Sequence, residues 1–206
     1  MLARSTTFEA RPESIEAGIA YCYDEVMPAL RGMDGWIGLS LLTDRESGRC
    51  ILTTAWENGA AMQSSADQVR PLRDRLAEAF QAATTVDEWQ IAAVHRDHHS
   101  GKGACVRATW LKVRPDQFDR AVEFYKTAVL PEIERLEGFC SSSMMSDRGS
   151  GRVVVSTTYD SRDVMERTRD QARSLRTALL RDLGADQQDV GEFELTIAAL
   201  RVPEMA

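Results

Sequence analysis

The sequence has little lysine, little histidine and an excess of negative charge, and the charge and the histidine count weigh against several classes of function. Its basic residues are 22 arginines and 3 lysines, a ratio that we attribute to genome bias, and the net charge of −7 argues against nucleic acid or an anionic membrane as a partner. With 3 histidines in the chain, acid–base catalysis by imidazole is poorly supported. No run of about 18 apolar residues predicts a transmembrane helix, and residues 1–8 lack the apolar core of a signal peptide. We therefore expect a cytoplasmic protein.

Common catalytic and metal-binding motifs are also missing. The sequence has no nucleophile elbow, no phosphate-binding glycine loop and no H-E-x-x-H. Four cysteines without C-x-x-C spacing are interpreted as reduced, buried side chains: Cys22, Cys50, Cys105 and Cys140. His98 and His99 lie in a polar, glycine-containing stretch that offers no third ligand in fixed geometry. The sequence therefore predicts no disulfide framework and no metal site.

A repeat at an interval of 103 residues is the strongest signal in the chain. Between residues 11–73 and 114–176, 18 of 63 aligned pairs are identical, where chance would give roughly 4 at background residue frequencies. The identical pairs include Pro28 with Pro131. Hydrophobic residues make up 43% of the chain, which is enough for a sizeable core. We therefore predict two copies of one folding motif.

Each copy shows the same order of predicted elements. A strand is followed by a helix, two strands joined by an Asp-Arg-x-Ser-Gly hairpin, a second helix and a last strand. Pro28 and Pro131 lie inside the first helical pattern and predict a kink or an early helix end. The order β-α-β-β-α-β is the ferredoxin-like arrangement. We predict an α+β protein with repeats at residues 1–97 and 104–206 and a linker at residues 98–103.

Two motifs make both repeats resemble the antibiotic biosynthesis monooxygenase (ABM) family. The first helix ends in Pro-x-Leu/Ile followed by an acidic residue, glycine and an aromatic, here Pro28-Ala29-Leu30…Asp34-Gly35-Trp36 and Pro131-Glu132-Ile133…Glu137-Gly138-Phe139. A strand also ends in an aromatic before the second helix, at Trp56 and Tyr159. The resemblance implies two repeats packed sheet to sheet as a pseudo-dimeric α+β barrel within one chain. Further homodimerisation stays open.

An arginine and a threonine share one face of the first strand in each repeat. They are Arg4 with Thr6 and Arg107 with Thr109, since residues two apart in a strand point to the same face. A guanidinium here is a candidate for binding a phenolate or carboxylate substrate. The alternative is a structural arginine paired with an acidic residue of the other repeat.

Four aromatic residues are further candidates for substrate binding. In barrels of this kind Trp56 and Tyr159 can line a cavity and stack on a planar ligand. Tyr23 and Tyr125 lie on or near the apolar face of the first helix, where a hydroxyl could reach a phenolic substrate. The alternative for all four is plain packing in the core or at its rim.

The resemblance suggests a function with two alternatives. It implies a cofactor-independent monooxygenase acting on a small aromatic or polyketide-like molecule, because such family members use no metal or organic cofactor. The second possibility is a non-catalytic barrel that binds a small molecule or fills its cavities with its own side chains. A void of a few hundred Å³ between sheet and helices is what the oxygenase hypothesis requires.

Haem degradation, known in the same superfamily, is disfavoured by the residues present. Those enzymes use an Asn on the first strand and a Trp and a His on the second helix. Aligned on the shared aromatic, the helix positions hold Ser65 and Arg75 in the first repeat, and Thr168 and Ala178 in the second. The first strands offer no Asn, so none of the three residues is present in either repeat.

Overall fold

The structure, a computed structural model, describes residues 1–200 and 202–205, apart from the side chains of Leu179 and Leu200. The predicted second repeat ends at Ala206, which lies outside the described residues, as does Arg201. Among the described residues, no helix combines the length and the apolar character needed to cross a membrane.

The first repeat contains four strands and four α-helices. Its strands are β1 (Leu2–Glu9), β2 (Trp36–Thr43), β3 (Arg49–Trp56) and β4 (Ala83–Arg96). Its helices are α1 (Ile15–Tyr21), α2 (Met27–Arg31), α3 (Gly59–Ser64) and α4 (Ala66–Phe80). A short 3₁₀ turn (Pro12–Ser14) leads into α1.

The second repeat follows the same order. Its strands are β5 (Cys105–Lys112), β6 (Phe139–Asp147), β7 (Arg152–Tyr159) and β8 (Asp186–Leu200). Its helices are α5 (Phe118–Phe124), α6 (Leu130–Glu134), α7 (Arg162–Arg167) and α8 (Arg169–Leu183). Hydrogen bonds join the eight strands into a closed barrel in the order β1-β3-β2-β8-β5-β7-β6-β4. The predicted fold class, α+β with two ferredoxin-like repeats in a barrel, is confirmed.

The first helix of each repeat accommodates its proline through a π-helical turn. These turns, Cys22–Val26 and Tyr125–Val129, lie directly before α2 and α6. At the end of the first turn the Met27 amide donates to the Cys22 carbonyl, five residues back. Because proline has no N–H to donate, the widened turn lets the helix continue past Pro28. The expected kink or early end is thus replaced by a change of helix type.

The hairpin glycines show why the Asp-Arg-x-Ser-Gly turn is repeated. Gly48 has φ +80°, and a Cβ there would lie 2.1 Å from the carbonyl oxygen of Ala10. Gly151 has φ +74°, and its Cβ would lie 2.5 Å from the carbonyl oxygen of Val113. Both the positive φ and the close backbone approach require glycine.

Two compact units are present, and each has its own core. The first contains Met1–Trp89 and Leu195–Val202; the second contains Gln90–Glu194 and Pro203–Ala206. The core of the first includes the buried Phe8, Trp56, Leu76, Phe80 and Ile197. The core of the second includes the buried Phe118, Tyr125, Phe139, Tyr159 and Met165.

Candidate functional site

The arginine on the first strand of each repeat forms an ion pair with a glutamate on the last strand of the same repeat. Arg4 donates from Nε and Nη2 to Oε1 of Glu88, at 3.1 and 2.8 Å. Arg107 donates from Nε to Oε1 of Glu192 at 2.9 Å, and the two residues lie directly opposite each other on β5 and β8. The glutamate therefore comes from the same repeat, whereas the sequence analysis considered a partner from the other one.

The guanidinium of Arg107 is almost completely occupied by protein partners. The residue is 5% exposed, and Nη2 donates to the backbone carbonyl of Met165 at 2.8 Å. Nη1 donates to the hydroxyl of Tyr159 at 3.4 Å, and the guanidinium carbon lies 5.5 Å from the centre of the Tyr159 ring. This arginine therefore holds the tyrosine in place, and its donors are already satisfied by the protein.

A cavity of about 50 Å³ lies beside these residues in the second unit. Arg107, Thr109 and Tyr159 line it, together with Arg176 of α8. Apolar side chains form the rest of the wall: Leu111, Val129, Ile133, Leu136, Val155, Ala172 and Leu175. A small apolar cavity with a few converging polar groups is typical of a small-molecule site.

Arg176 is the charged group of this cavity that has no assigned partner. Among the described residues, none forms a hydrogen bond or an ion pair with its guanidinium. Burial lowers the pKa of Arg176, the positive charges of Arg107 and Arg173 lower it further, and the negative charge of Glu192 offsets this only in part. The charged guanidinium is therefore penalised on balance, and an anion bound in the cavity would relieve that penalty.

The equivalent cavity in the first unit is smaller. It measures about 20 Å³ and is lined by Arg4, Thr6 and Arg73 among others. Arg73 occupies the position of Arg176 in the repeat, but its Nε lies 3.6 Å from Oδ1 of Asp74. Arg73 therefore has an ion-pair partner, whereas none of the described residues forms an ion pair with Arg176, which feels the negative charge of Glu192 without pairing with it.

The predicted aromatic residues are divided between the cavity wall and the core. Tyr159 lines the second cavity, and burial raises the pKa of its hydroxyl. Trp56 is fully buried, does not line the first cavity, and donates from Nε1 to Oγ1 of Thr54 at 3.2 Å. These two equivalent aromatics therefore have different surroundings.

The two tyrosines of the first helix lie away from both cavities. Tyr125 is buried and donates to Oγ of Ser142 at 2.7 Å, and burial raises its pKa to about 12. Tyr23 is 44% exposed, and its hydroxyl donates to the carbonyl of Thr196 at 3.1 Å. Neither tyrosine is among the cavity-lining residues.

Sequence reasoning missed Arg73 and Arg176, although a signal for them existed. They are an identical pair at the 103-residue interval. Because the first-strand arginines are also identical in the two repeats, an identical arginine on the second helix is a further candidate for the same site. The glutamates were harder to find, because Glu88 and Glu192 align only at an interval of 104 residues. A one-residue slip hides them from a strict repeat alignment.

Neither cavity reaches the volume that the oxygenase hypothesis requires. Volumes of about 50 and 20 Å³ compare with the few hundred Å³ of ordinary ligand sites. A cavity of about 150 Å³ is known to bind benzene. As described, the second cavity can hold water, and an aromatic ring enters only if a lining side chain moves.

The fold and this site define a class of protein: an α+β barrel of two ferredoxin-like repeats with an arginine-lined cavity in each. The family described as antibiotic biosynthesis monooxygenase matches residues 1–93. The uncharacterised protein Rv2557 of Mycobacterium tuberculosis (strain ATCC 25618 / H37Rv) is 59% identical over 203 residues, covering 98% of this chain and 91% of the relative. The chain belongs to the antibiotic biosynthesis monooxygenase family, as the resemblance implied.

Solved structures show the same fold over the full chain. A candidate monooxygenase from Fusobacterium nucleatum subsp. nucleatum ATCC 25586 has a TM-score of 0.73 at 12% identity, covering 99% of this chain and 95% of its own. An anthrone oxidase-like protein has a TM-score of 0.69 at 14% identity, covering 100% and 95%. At such low identity the likeness shows the fold alone.

Proposed function

We propose that the second repeat binds a small aromatic anion and catalyses its cofactor-independent monooxygenation. The observation that carries the proposal is Arg176, a half-buried guanidinium at an apolar cavity with no described protein partner. A phenolate is the kind of ligand that such a group pairs with. Family membership supplies the reaction class.

The residues of the cavity suit this reaction in separate ways. Arg176 would pair with the anion, while Arg107 keeps the Tyr159 ring in place as one wall. The aliphatic side chains of Val129, Ile133 and others exclude water from the ring. The electron-rich anion itself reduces molecular oxygen. A ring methylene loses two hydrogens and gains one oxygen atom as a carbonyl, and the other oxygen atom leaves as water.

Entry of a ring requires an opening of the cavity. We propose that the Arg176 side chain shifts to make room for the ring while it stays paired with the bound anion, since it is half-buried and no described residue forms a hydrogen bond or an ion pair with it. The first cavity is smaller, and its Arg73 has Asp74 as a neighbour. We therefore propose that only the second repeat binds substrate and that the first is structural.

The test measures oxygen uptake with anthrones, whose ring methylene can undergo the proposed step. We expect Arg176→Leu to lower kcat/KM at least about 10-fold, the effect of losing one charged contact. The matched variant Arg73→Leu should leave it within about twofold. Equal losses in the two variants, or no oxygen uptake with any substrate, would contradict the proposed reaction.

A non-catalytic binding protein is the second candidate, and the small cavity volume favours it. In that case a phenolate or carboxylate binds, as followed by NMR line broadening, and oxygen uptake stays at the background rate. Binding should still be weakened by Arg176→Leu and not by Arg73→Leu. If the parent chain neither binds an anion nor takes up oxygen, the remaining alternative is a barrel that fills its cavities with its own side chains.

The location of the protein and its assembly are proposed from its cysteines and from its two repeats. All four cysteines are free and buried, which suits a reducing compartment, so we propose a cytoplasmic location. We also propose that the chain acts as a pseudo-dimer on its own, with a small aromatic molecule as its partner. Light scattering of the purified chain distinguishes this from a further homodimer.

A further inference from the structure

A histidine, a cysteine and an aspartate converge in the second unit, away from the cavity. Their ligand atoms, a ring nitrogen of His98, Sγ of Cys140 and a carboxylate oxygen of Asp160, all lie within 4.8 Å of one another. His98 Nε2 is 2.9 Å from Oδ1 of Asp160, and Cys140 Sγ donates to the same oxygen at 3.2 Å. Three ligand types that favour zinc thus surround one point.

The backbone fixes each of these residues. The amides of Asp97 and His98 both donate to the Cys140 carbonyl, at 2.9 and 3.3 Å, which ties the predicted linker to β6. Asp160 directly follows β7, and its amide donates to the Gly138 carbonyl at 2.9 Å. The register of β6 against β7 shifts between Phe139 and Ser141, so Cys140 is the extra residue of a β-bulge. Bulges commonly re-aim a side chain in this way.

Asp97 completes the arrangement from the other side of the imidazole. His98 Nδ1 lies 2.7 Å from Oδ2 of Asp97. A metal-binding histidine usually donates its second N–H to such a carboxylate, which selects the tautomer and orients the ring. With Nδ1–H donated to Asp97, Nε2 is the ring nitrogen that faces Oδ1 of Asp160 at 2.9 Å, and a metal ion would replace the proton of that hydrogen bond.

The ligand atoms lie within 4.8 Å of one another, and a small adjustment of two of their separations would fit a tetrahedral ion. Zn–N and Zn–O bonds of about 2.0–2.1 Å and Zn–S bonds of about 2.3 Å place ligand atoms about 3.3–3.7 Å apart. The nitrogen–oxygen and sulfur–oxygen separations, 2.9 and 3.2 Å, need an expansion of about half an ångström. His98 and Asp160 can supply it because their side chains are 42% and 50% exposed.

The first repeat provides an internal comparison. It has the same bulge, between Trp36 and Gly38, but Ile37 takes the place of Cys140 and Glu57 the place of Asp160. The bulge therefore does not require a cysteine.

We propose that Cys140, His98 and Asp160 bind one divalent zinc ion, with Asp97 orienting the imidazole and water as the fourth ligand. The sequence analysis predicted no metal site because it found no third ligand in fixed geometry. The fold supplies that ligand from strands that lie about 40 and 60 residues further along the chain. The site is separate from the cavity of Arg176 and does not depend on the proposed oxygenase function.

Zinc and cobalt titrations of the full chain test the proposal. Isothermal titration calorimetry with Zn²⁺ should give one site per chain with a dissociation constant in the micromolar range or tighter. Co²⁺ should produce a thiolate charge-transfer band that Zn²⁺ then abolishes. His98→Gln and Asp160→Asn should each weaken binding at least about 10-fold, and Asp97→Asn about 10–100-fold. Cys140→Ser should remove the charge-transfer band.

Matched variants show whether a loss of Zn²⁺ binding comes from a lost ligand or from damage to the fold. His99→Gln removes a neighbouring exposed histidine, and Cys22→Ala removes a buried thiol elsewhere; both should bind Zn²⁺ within about twofold of the parent chain. His98 and Asp160 are exposed, so their variants should keep the parent circular dichroism spectrum even if Cys140→Ser unfolds. Unchanged binding in these two variants, an equal loss in His99→Gln, or no saturable Zn²⁺ binding overturns the proposal.

Discussion

Single residues give the two repeats different properties although their strand arginines are equivalent. Arg107 is enclosed by Glu192, Tyr159 and the Met165 carbonyl. The Arg4 side chain is 11% exposed, and the side-chain partner described for it is Glu88, whose carboxylate side chain is 56% exposed. An ion pair near solvent contributes little to stability, while breaking a buried pair leaves an uncompensated charge. Breaking the ion pair should therefore lower the free energy of unfolding more in the second repeat than in the first.

The pH dependence of Glu192 follows from this difference. Burial raises the pKa of Glu192, but hydrogen bonds from Arg169 and Arg107 lower it by more, so the net pKa lies below its ordinary value. A carboxylate with a lowered folded-state pKa stabilises the protein above its unfolded pKa. That contribution is present at neutral pH and is lost below about pH 4.3, the ordinary glutamate value, as the pH falls through the folded-state pKa.

We expect Glu192→Gln to lower the free energy of unfolding by about 2–4 kcal/mol at pH 7. The matched variant Glu88→Gln should cost less than about 1 kcal/mol, because its carboxylate is largely solvated. Urea denaturation at pH 7 and at about pH 3 measures both, and the Glu192→Gln difference should shrink at the lower pH. Equal losses in the two variants at pH 7 contradict the assigned burial.

At the level of elements, replacing a hairpin glycine should cost stability, for a reason that the sequence pattern alone does not show. The repeated Asp-Arg-x-Ser-Gly indicated a turn, and the structure adds that a Cβ at Gly48 would meet the carbonyl oxygen of Ala10 at 2.1 Å. That contact is with backbone, so it cannot be relieved by a side-chain rotation. Strain from φ +80° adds to it.

We expect Gly48→Ala to lower the free energy of unfolding by at least about 2 kcal/mol, from the backbone clash and the left-handed φ together. Gly101→Ala is the control, because nothing lies within 4 Å of its Cβ and its φ is not positive. It should be neutral or slightly stabilising. Thermal unfolding by circular dichroism measures both, and a neutral Gly48→Ala would show that the hairpin shifts easily.

Periodicity and the repeat predict the elements well, and the candidate site only in part. Apolar spacing and the paired prolines are local features, so the helices and the hairpins could be read from them. The π-helical turns could not, because they depend on which carbonyl each amide selects. The cluster of His98 with Cys140 and Asp160 needs a bulge in β6 and a linker held against that strand. No sequence pattern encodes either, so the sequence alone shows His98 only as part of a polar, glycine-containing stretch without a third ligand.

At the scale of the whole molecule, the first compact unit draws on two distant parts of the chain. The first unit contains Leu195–Val202 in addition to its first 89 residues. Ile197 from that segment is 2% exposed and belongs to the core of the unit. The hydroxyl of Thr43 lies 2.6 Å from that of Thr196, and the Tyr23 hydroxyl donates to the Thr196 carbonyl. The first sequence repeat therefore lacks a piece of the unit to which it contributes most.

A fragment of residues 1–97 should for this reason self-associate or aggregate when it is expressed alone. It retains β2 and the apolar partners of Ile197 but has lost the segment that covers them, and an uncovered strand with an apolar face pairs with other chains. Size-exclusion chromatography with light scattering measures the mass of the fragment. Exposed core surface should also raise the fluorescence of a hydrophobic dye well above that of the full chain at equal concentration. A fragment that elutes as a monomer and unfolds cooperatively would show that Leu195–Val202 is dispensable for the first unit. It would also contradict the division of the chain into these two units.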